Sequence, residues 1–391
     1  MRVCVFTGSR AEFGLLRPLI ELLNNDPFFD LKLVVSGSHL SPQLGFTVDE
    51  IISTGFKIDE KIEILLASDT RISVCKAIGL GMISFSEALE RILPDLVIVL
   101  GDRFELLSFV TSAFIMGFPI VHIHGGEITE GVYDDGIRHA ITKMSQLHFT
   151  STEVYRQRVI QMGEHPDTVY NTGALGLDNI KAMNLLDIEN LSQELQFDLG
   201  SEYIVVTYHP ETNSEVESTH VVTDLLQALN SFQDLKVIFT KANADHGGNE
   251  INKMIESYVS RNPSRTRLYS SLGSLKYLSL LKNATLMAGN TSSGIIEMPF
   301  FRKPTVTIGD RQKGRVQSES IIQVFHTFES IKEGIKKGLS TEFRLKCQNV
   351  PAYYGDGKAA ERIVDVLKVT EISSIRYKHF YDFPNAMGEL C

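Results

Sequence analysis

No pair among the four cysteines of this 391-residue chain has the spacing of a redox or zinc motif. Cys4, Cys75, Cys347 and Cys391 form no CxxC. That pattern argues against a zinc site or a disulfide frame and fits reduced thiols in the cytoplasm. Positive charge is also scarce. Lys plus Arg number 38 against 48 Asp plus Glu, a net charge of −10, so neither nucleic acid nor an anionic membrane meets an attracting field. The apolar run at residues 3–6 is too short for a signal peptide, and no later run reads as long enough to span a bilayer. The expectation is a cytoplasmic protein without nucleic-acid or membrane partners. Neither GxGxxG nor a P-loop occurs, so nucleotide binding must be argued from less regular loops. No segment is of low complexity. Hydrophobic residues make up 43% of the chain, enough for full cores, and the length suggests two or three domains.

The richest stretch runs from Leu96 to His139. Residues 96–100 and 119–123 are short apolar runs, each ending in a glycine-containing turn, as buried parallel strands do. Residues 104–116 between them suit a crossover helix. Asp102, Arg103 and Glu105 follow the first strand; His122, His124 and Glu127 surround the end of the second. Asp134, Asp135, Arg138 and His139 come next. In an open parallel sheet, ligands lie beyond the carboxyl ends of the strands. Carboxylates, imidazoles and guanidinium groups thus collect where a ligand would sit.

Upstream, a strand at 3–6 leads through Thr7-Gly-Ser-Arg-Ala-Glu-Phe-Gly14 to a helix at 15–24. Free backbone N–H groups at such a helix start can receive phosphate, and Arg10 lies in the loop. A second strand at 31–35 ends near His39, which either touches a sugar or stabilises its loop. Residues 61–93 read mostly as helix. Downstream of a looser region at 170–186 the alternation resumes, with strands at 203–207, 236–240, 267–269, 285–288 and 305–308 separated by helix-length segments. His209 stands in a His-Pro-Glu turn, and Asn243 lies in the loop after the second of these strands. Ser292, Ser293 and Gly294 precede a helix expected at 295–301, where N–H groups and hydroxyls suit a diphosphate and Glu297 suits a ribose diol. Arg311, Lys313 and Arg315 follow the last strand. His122 is either a structural or a site histidine; Asp135 either caps its helix, orients Arg138 or acts directly in catalysis. His139 and His148 read as structural, and Glu105 as a structural pair or a solvated residue. No metal cluster is apparent.

Eight motifs in order, Thr7-Gly-Ser-Arg-Ala-Glu, Gly101-Asp-Arg-Phe-Glu, His122-Ile-His-Gly-Gly-Glu, Ile137-Arg-His-Ala-Ile-Thr-Lys-Met, His209-Pro-Glu-Thr, Gly289-Asn-Thr-Ser-Ser-Gly, Gly309-Asp-Arg-Gln-Lys-Gly-Arg and Phe380-Tyr-Asp-Phe-Pro, span nearly the whole chain. On these the chain resembles the hydrolysing UDP-N-acetylglucosamine 2-epimerases of sialic-acid biosynthesis, the NeuC-like enzymes. The resemblance implies an α/β, GT-B-like fold: two Rossmann-like parallel α/β domains with the site in the cleft between them. The domains are expected at 1–175 and 176–369, with a tail, 370–391, crossing back onto the first. A homodimer is implied, and neither metal nor cofactor.

The implied reaction converts UDP-N-acetylglucosamine and water to UDP and N-acetylmannosamine. UDP leaves by anti elimination to 2-acetamidoglucal, and water then adds syn. By resemblance, Asp102 and Asp134 occupy the positions of catalytic carboxylates. Arg10, Arg103 and His209 fall where the diphosphate or leaving group is met. Ser292, Ser293, Glu297 and Arg311 fall where the nucleotide is held. Many relatives have Glu at the position of His124, so the proton-handling role there passes either to His124 or to Glu127. Three other readings stay open: a related hydrolysing enzyme acting on a 2,4-diacetamido nucleotide sugar, a non-hydrolysing 2-epimerase, and a catalytically silent nucleotide-sugar sensor. A glycosyltransferase shares the architecture.

Overall fold

The computed structural model describes residues 1–42, 46–68, 70–129, 133–211, 216–242, 248–270 and 272–382. The chain divides into two compact units, Met1–Asn179 with Gly355–Cys391, and Ile180–Tyr354.

Seven strands build the first unit's sheet: β1 (Arg2–Thr7), β2 (Asp30–Ser36), β3 (Glu60–Ile62), β4 (Leu96–Leu100), β5 (Ile120–Ile123), β6 (Leu147–Thr150) and β7 (Val169–Asn171). Their order is β3-β2-β1-β4-β5-β6-β7, all parallel. The order reverses between β1 and β4, a topological switch point where loops diverge and leave a crevice. Alternate residues feed two cores. Val3, Val5, Leu33 and Ile98 pack with helix α1 (Arg10–Asn25) on one face. Cys4, Phe6, Val97 and Val99 pack on the other. Among the helices, α2 (Val48–Ser53) is short, while α3 (Arg71–Ile92) and α4 (Phe104–Ile115) pack together. Helices α5 (Tyr133–Met144) and α6 (Glu153–Gln161) follow β5 and β6.

Six strands build the second sheet: β8 (Tyr203–Thr207), β9 (Lys236–Thr240), β10 (Thr266–Tyr269), β11 (Leu286–Gly289), β12 (Thr305–Ile308) and β13 (Ile321–Val324). They are parallel in the order β10-β9-β8-β11-β12-β13, with the switch point between β8 and β11.

Several expectations are corrected. The helix expected at 15–24 begins at Arg10, because Ser9 caps it. The stretch 61–93 is mostly helix, as expected, with α3 filling Arg71–Ile92; the end of β3 within it was not expected. Short edge strands such as β3 and β7 carry too few residues for a period to show. The second domain does not reach residue 369. The helix Ala359–Val369 packs Ala359, Ala360, Ile363, Val364 and Leu367 into the first unit's core. Its apolar stripe shows the helix but not its partner. Helix α3, at 22 residues with mean hydropathy 1.4, is long and apolar enough to cross a membrane by length and composition. Its apolar residues are spaced among Ala, Gly and Ser rather than run together. Its Phe85, Ala88, Leu89 and Ile92 are buried in the first unit's core.

Candidate active site

In the first unit, the loop from β1 to α1 is only Gly8 and Ser9. The Ser9 hydroxyl accepts from the Glu12 amide and caps the helix. The Gly8 amide donates to Glu12 Oε2 at 2.8 Å. One donor of the expected phosphate cradle is therefore already engaged by the protein. Arg10, the first helical residue, is exposed and lies 3.7 Å from Glu50. His39 is fully buried. Its Nε2 lies 3.1 Å from the Thr7 hydroxyl and its Nδ1 2.9 Å from the Thr47 hydroxyl, an arrangement that holds the loop. Burial lowers its pKa to about 4.

Glu12 is 6% exposed, and its Oε1 has no hydrogen-bond partner among the described residues. Burial pushes its carboxyl up to about 8, against the Gly8 amide and with the nearby Glu105 adding to the rise. The folded state therefore holds this proton more tightly than the unfolded chain does. Stability from this group is complete below the ordinary value of 4.5 and is lost as pH rises toward about 8. Glu12→Gln, which mimics the protonated acid, should remove that slope of up to about 1.4 kcal/mol per pH unit. Denaturant melts at pH 5, 6.5 and 8 should show the variant gaining on the wild type; parallel curves would contradict a buried neutral acid.

After β4, Asp102 and Arg103 precede α4. Arg103 forks onto the buried Glu105 through two contacts of 3.2 Å, so Glu105 is a structural pair. Asp102 pairs with Arg138 Nη2. Arg138 is buried and also donates to Asp135 Oδ1 at 3.2 Å, the Thr129 hydroxyl at 3.0 Å and the Glu127 carbonyl at 2.8 Å. Asp135 accepts from the Thr129 amide at 2.7 Å and lies 3.4 Å from His139, which makes it an orienting group. Asp134 stands beside these in the first turn of α5. Burial raises its pKa, and the Asp102 charge raises it further.

His122 is buried within β5. Its Nε2 donates to the Gly101 carbonyl at 2.8 Å, and its Nδ1 faces the Thr142 hydroxyl at 3.1 Å. Burial drives its pKa down to about 3, so it is a neutral structural histidine that fixes the turn carrying Asp102. His124 lies one residue beyond the strand with φ +65°, a left-handed conformation that a non-glycine residue adopts at a cost and that clusters at functional sites. Its Nδ1 lies 3.8 Å from Glu127 Oε1, which accepts from the Ser151 hydroxyl at 3.0 Å. The two residues expected to handle a proton here, His124 and Glu127, thus lie side by side.

In the second unit, His209 follows β8. The Asn290 side chain clasps its backbone, accepting from its amide at 2.7 Å and donating to its carbonyl at 2.8 Å. Gly289 before it has φ +145°, and a Cβ there would meet the Thr207 carbonyl at 1.9 Å, so only glycine lets β11 approach β8 so closely. Arg311 Nη1 and Gln312 Nε2 both donate to the Asn290 carbonyl, at 3.3 and 2.9 Å. The helix expected at 295–301 is instead a 3-10 turn, Ser292–Gly294, followed by a four-residue helix, Glu297–Phe300. Pro299 sits within that helix, and Pro lacks the N–H a longer one needs. Glu297 is pushed up in pKa by burial, while Ser293 and Arg315 oppose. Its Oε2 is buried with no hydrogen-bond partner among the described residues, an acceptor suited to a diol. Asn243 lies outside the described residues.

Sequence reasoning passed over Asn290, Gln312 and Glu12. Asn290 and Glu12 lie inside recognised motifs; nothing in residue type announces that an amide will hold a backbone or that a glutamate will be neutral. No cluster of three or more His, Cys, Asp or Glu able to hold a metal occurs among the described residues.

A profile of the UDP-N-acetylglucosamine 2-epimerase family matches residues 21–368. The chain is 42% identical to a GDP/UDP-N,N'-diacetylbacillosamine 2-epimerase (hydrolyzing) of Campylobacter jejuni, over 97% of this chain and 99% of that one. It is 36% identical to polysialic acid biosynthesis protein P7 of Escherichia coli, over 98% of each. The UDP-GlcNAc 2-epimerase of Neisseria meningitidis, solved with UDP-GlcNAc, superposes with a TM-score of 0.79 at 20% identity, covering 95% of this chain and 100% of that one.

Proposed function

The chain belongs to the UDP-N-acetylglucosamine 2-epimerase family, and from that premise we propose that it is a hydrolysing 2-epimerase of UDP-N,N'-diacetylbacillosamine. The sequence reading put UDP-N-acetylglucosamine first and the 2,4-diacetamido sugar second; the 42% full-length likeness to an enzyme named for the second reverses that order. UDP-N-acetylglucosamine stays as the second reading because protein P7, 36% identical, is named for polysialic acid biosynthesis.

The observation that carries the chemistry is the pairing of two carboxylates in unlike surroundings. Asp102 is fixed by Arg138, whereas Asp134 is raised in pKa by burial and by Asp102. Such a pair divides acid–base labour. In this reading Asp134 takes the C2 proton. The C1–O bond breaks with its electron pair going to the diphosphate, and a 2-acetamidoglycal forms. Asp102 steadies positive charge at C1. Water then adds its oxygen to C1 and a proton returns to C2 from the opposite face. His124 or Glu127 handles the second proton. Arg10, Arg103, His209 and Arg311 meet the diphosphate; Ser292, Ser293, Gly294 and Glu297 hold the nucleoside end. His39 supports the first loop.

The test is proton NMR of the protein with each UDP sugar. Free 2,4-diacetamido-2,4,6-trideoxymannose plus UDP supports the first reading, and free N-acetylmannosamine the second. UDP-linked epimers would mean the sister reaction, and no turnover of either the UDP sugars or GDP-N,N'-diacetylbacillosamine a sensor.

A homodimer belongs to the same reading. Ile72, Leu80 and Ile83 of α3 lie at helical spacing and are 69%, 40% and 64% exposed, and Ile115 of α4 is 75% exposed. A second copy covering this face should yield a dimer by analytical ultracentrifugation that Ile83→Glu dissociates. A dimer unaffected by Ile83→Glu would place the interface elsewhere.

A further inference from the structure

The C-terminal segment reaches a buried polar cluster that the reaction does not use. Glu164, whose side chain is 1% exposed, lies just beyond α6. Its Oε1 accepts from Lys143 at 2.7 Å; its Oε2 accepts from Lys378 at 2.6 Å and lies 3.1 Å from His148 Nε2. Lys378 also donates to the carbonyls of Lys143 at 2.6 Å and Ser145 at 2.7 Å, with that of Thr142 at 3.4 Å. Those carbonyls end α5, where a helix has no donors of its own and where a cation is favoured by the dipole. Three short contacts use all three ammonium protons.

The segment is fastened again just after this contact. The Tyr381 amide donates to the Gly163 carbonyl at 2.9 Å. The Phe380 ring lies under the Lys143 ammonium, 5.0 Å from its centroid. At Gly163, with φ +86°, a Cβ would fall 2.3 Å from the Phe380 ring, so any other residue there would be strained and would displace the ring.

We propose that Lys378 is a positioning residue: it locks the C-terminal end of α5 and, through that helix, fixes Asp134, Asp135 and Arg138 at and near its opposite end. The link is a single twelve-residue helix whose middle is anchored to Asp102 through Arg138. A helix moves as a unit, so a loosened last turn is felt at the first. The placing of reacting groups is sensitive to shifts on the order of 1 Å, which cost about a hundredfold in rate. This inference rests on the proposed reaction for its effect on turnover, but the lock itself does not.

Among the described residues, the charged and titratable groups facing Lys378 are Glu164, Lys143 of α5 and His148 of β6. Burial pushes the Lys378 ammonium down to about 8, against the Glu164 carboxylate. Burial alone would raise Glu164, but His148, Lys143 and Lys378 together hold it at about 2. Burial lowers His148 too, with Glu164 opposing, so it stays neutral in the relevant range. Raising the pH through about 8 therefore discharges Lys378 and opens the lock.

Hydrogen exchange at pH 7 in the full chain tests the lock without any substrate. In Lys378→Met the amides of α5 should exchange at least tenfold faster, while those of β8 and β11 are unchanged. Its kcat should fall ten- to a hundredfold, with UDP affinity unaltered by calorimetry. Lys378→Arg keeps a charge that does not titrate. The wild-type kcat should decline above pH 8, and Lys378→Arg should retain turnover and lose that decline. If the methionine variant does not fold, the arginine profile decides alone. Unchanged α5 exchange, or an alkaline decline identical in Lys378→Arg and wild type, overturns the proposal. Absence of turnover in wild type alongside faster α5 exchange would sink the proposed reaction and leave the lock standing.

Discussion

Asp134→Asn should lower turnover by about 10²–10⁴-fold while melting no lower than the wild type at pH 7.5. The sign follows from burial. Asp134 is raised above its ordinary 3.8 in the folded protein, so its contribution to stability is complete below that value and is lost as pH rises through the folded pKa. At neutral pH the anion is a cost that the amide does not carry. Active sites commonly hold such groups at the expense of stability. Asp102→Asn should lose turnover to a similar extent but melt lower, because it discharges the partner of Arg138. Thermal denaturation and turnover on the same samples check both. Equal loss of stability in the two variants would mean that Asp134 is a structural carboxylate.

Arg138→Met should be the most destabilising substitution in the first unit's site. The guanidinium, 7% exposed, holds Asp102 and Asp135 together with the Thr129 hydroxyl and the Glu127 carbonyl. Deleting it leaves two carboxylates facing each other without compensation. Breaking a buried pair from one side costs about 3–5 kcal/mol, which corresponds to a fall in Tm of roughly 10 °C for a unit of this size. Turnover should vanish as well, since the positions of both carboxylates depend on it. Arg138→Lys keeps the charge but lacks the planar fork, so it should recover part of the stability and little of the activity. A melt within 1–2 °C of wild type for Arg138→Met would show that the cluster is not a coupled unit.

The central strands were legible because they are buried on both faces and read as uninterrupted apolar runs. β4, Leu96–Leu100, is the clearest case, with every residue buried. The residues proposed for the site drew notice in the sequence where they closely follow such strands, as Asp102 follows β4 and His124 follows β5. What was not legible depends on contacts remote in sequence. The helix Ala359–Val369 shows its stripe but not that it packs against α1. Glu12 looks like any first-turn acid; its neutrality comes from burial beside Gly8 and Glu105. Arg138 sits in a recognised motif, yet its hold on Asp102, 36 residues away, belongs to tertiary structure alone. The break between Gly294 and Glu297 does not show in residue type, since Ile295 and Ile296 carry no turn signal, and Pro299 two residues after Glu297 is compatible with a first helical turn.

Elimination followed by hydration is the core of the functional account, and the fate of one hydrogen tests it. UDP-N,N'-diacetylbacillosamine, or UDP-N-acetylglucosamine should that prove to be the substrate, is converted in D2O and followed by proton NMR. The account predicts a free sugar of inverted configuration at C2 that carries one deuterium there, released together with UDP. Retention of the original hydrogen at C2 in the released sugar would contradict it.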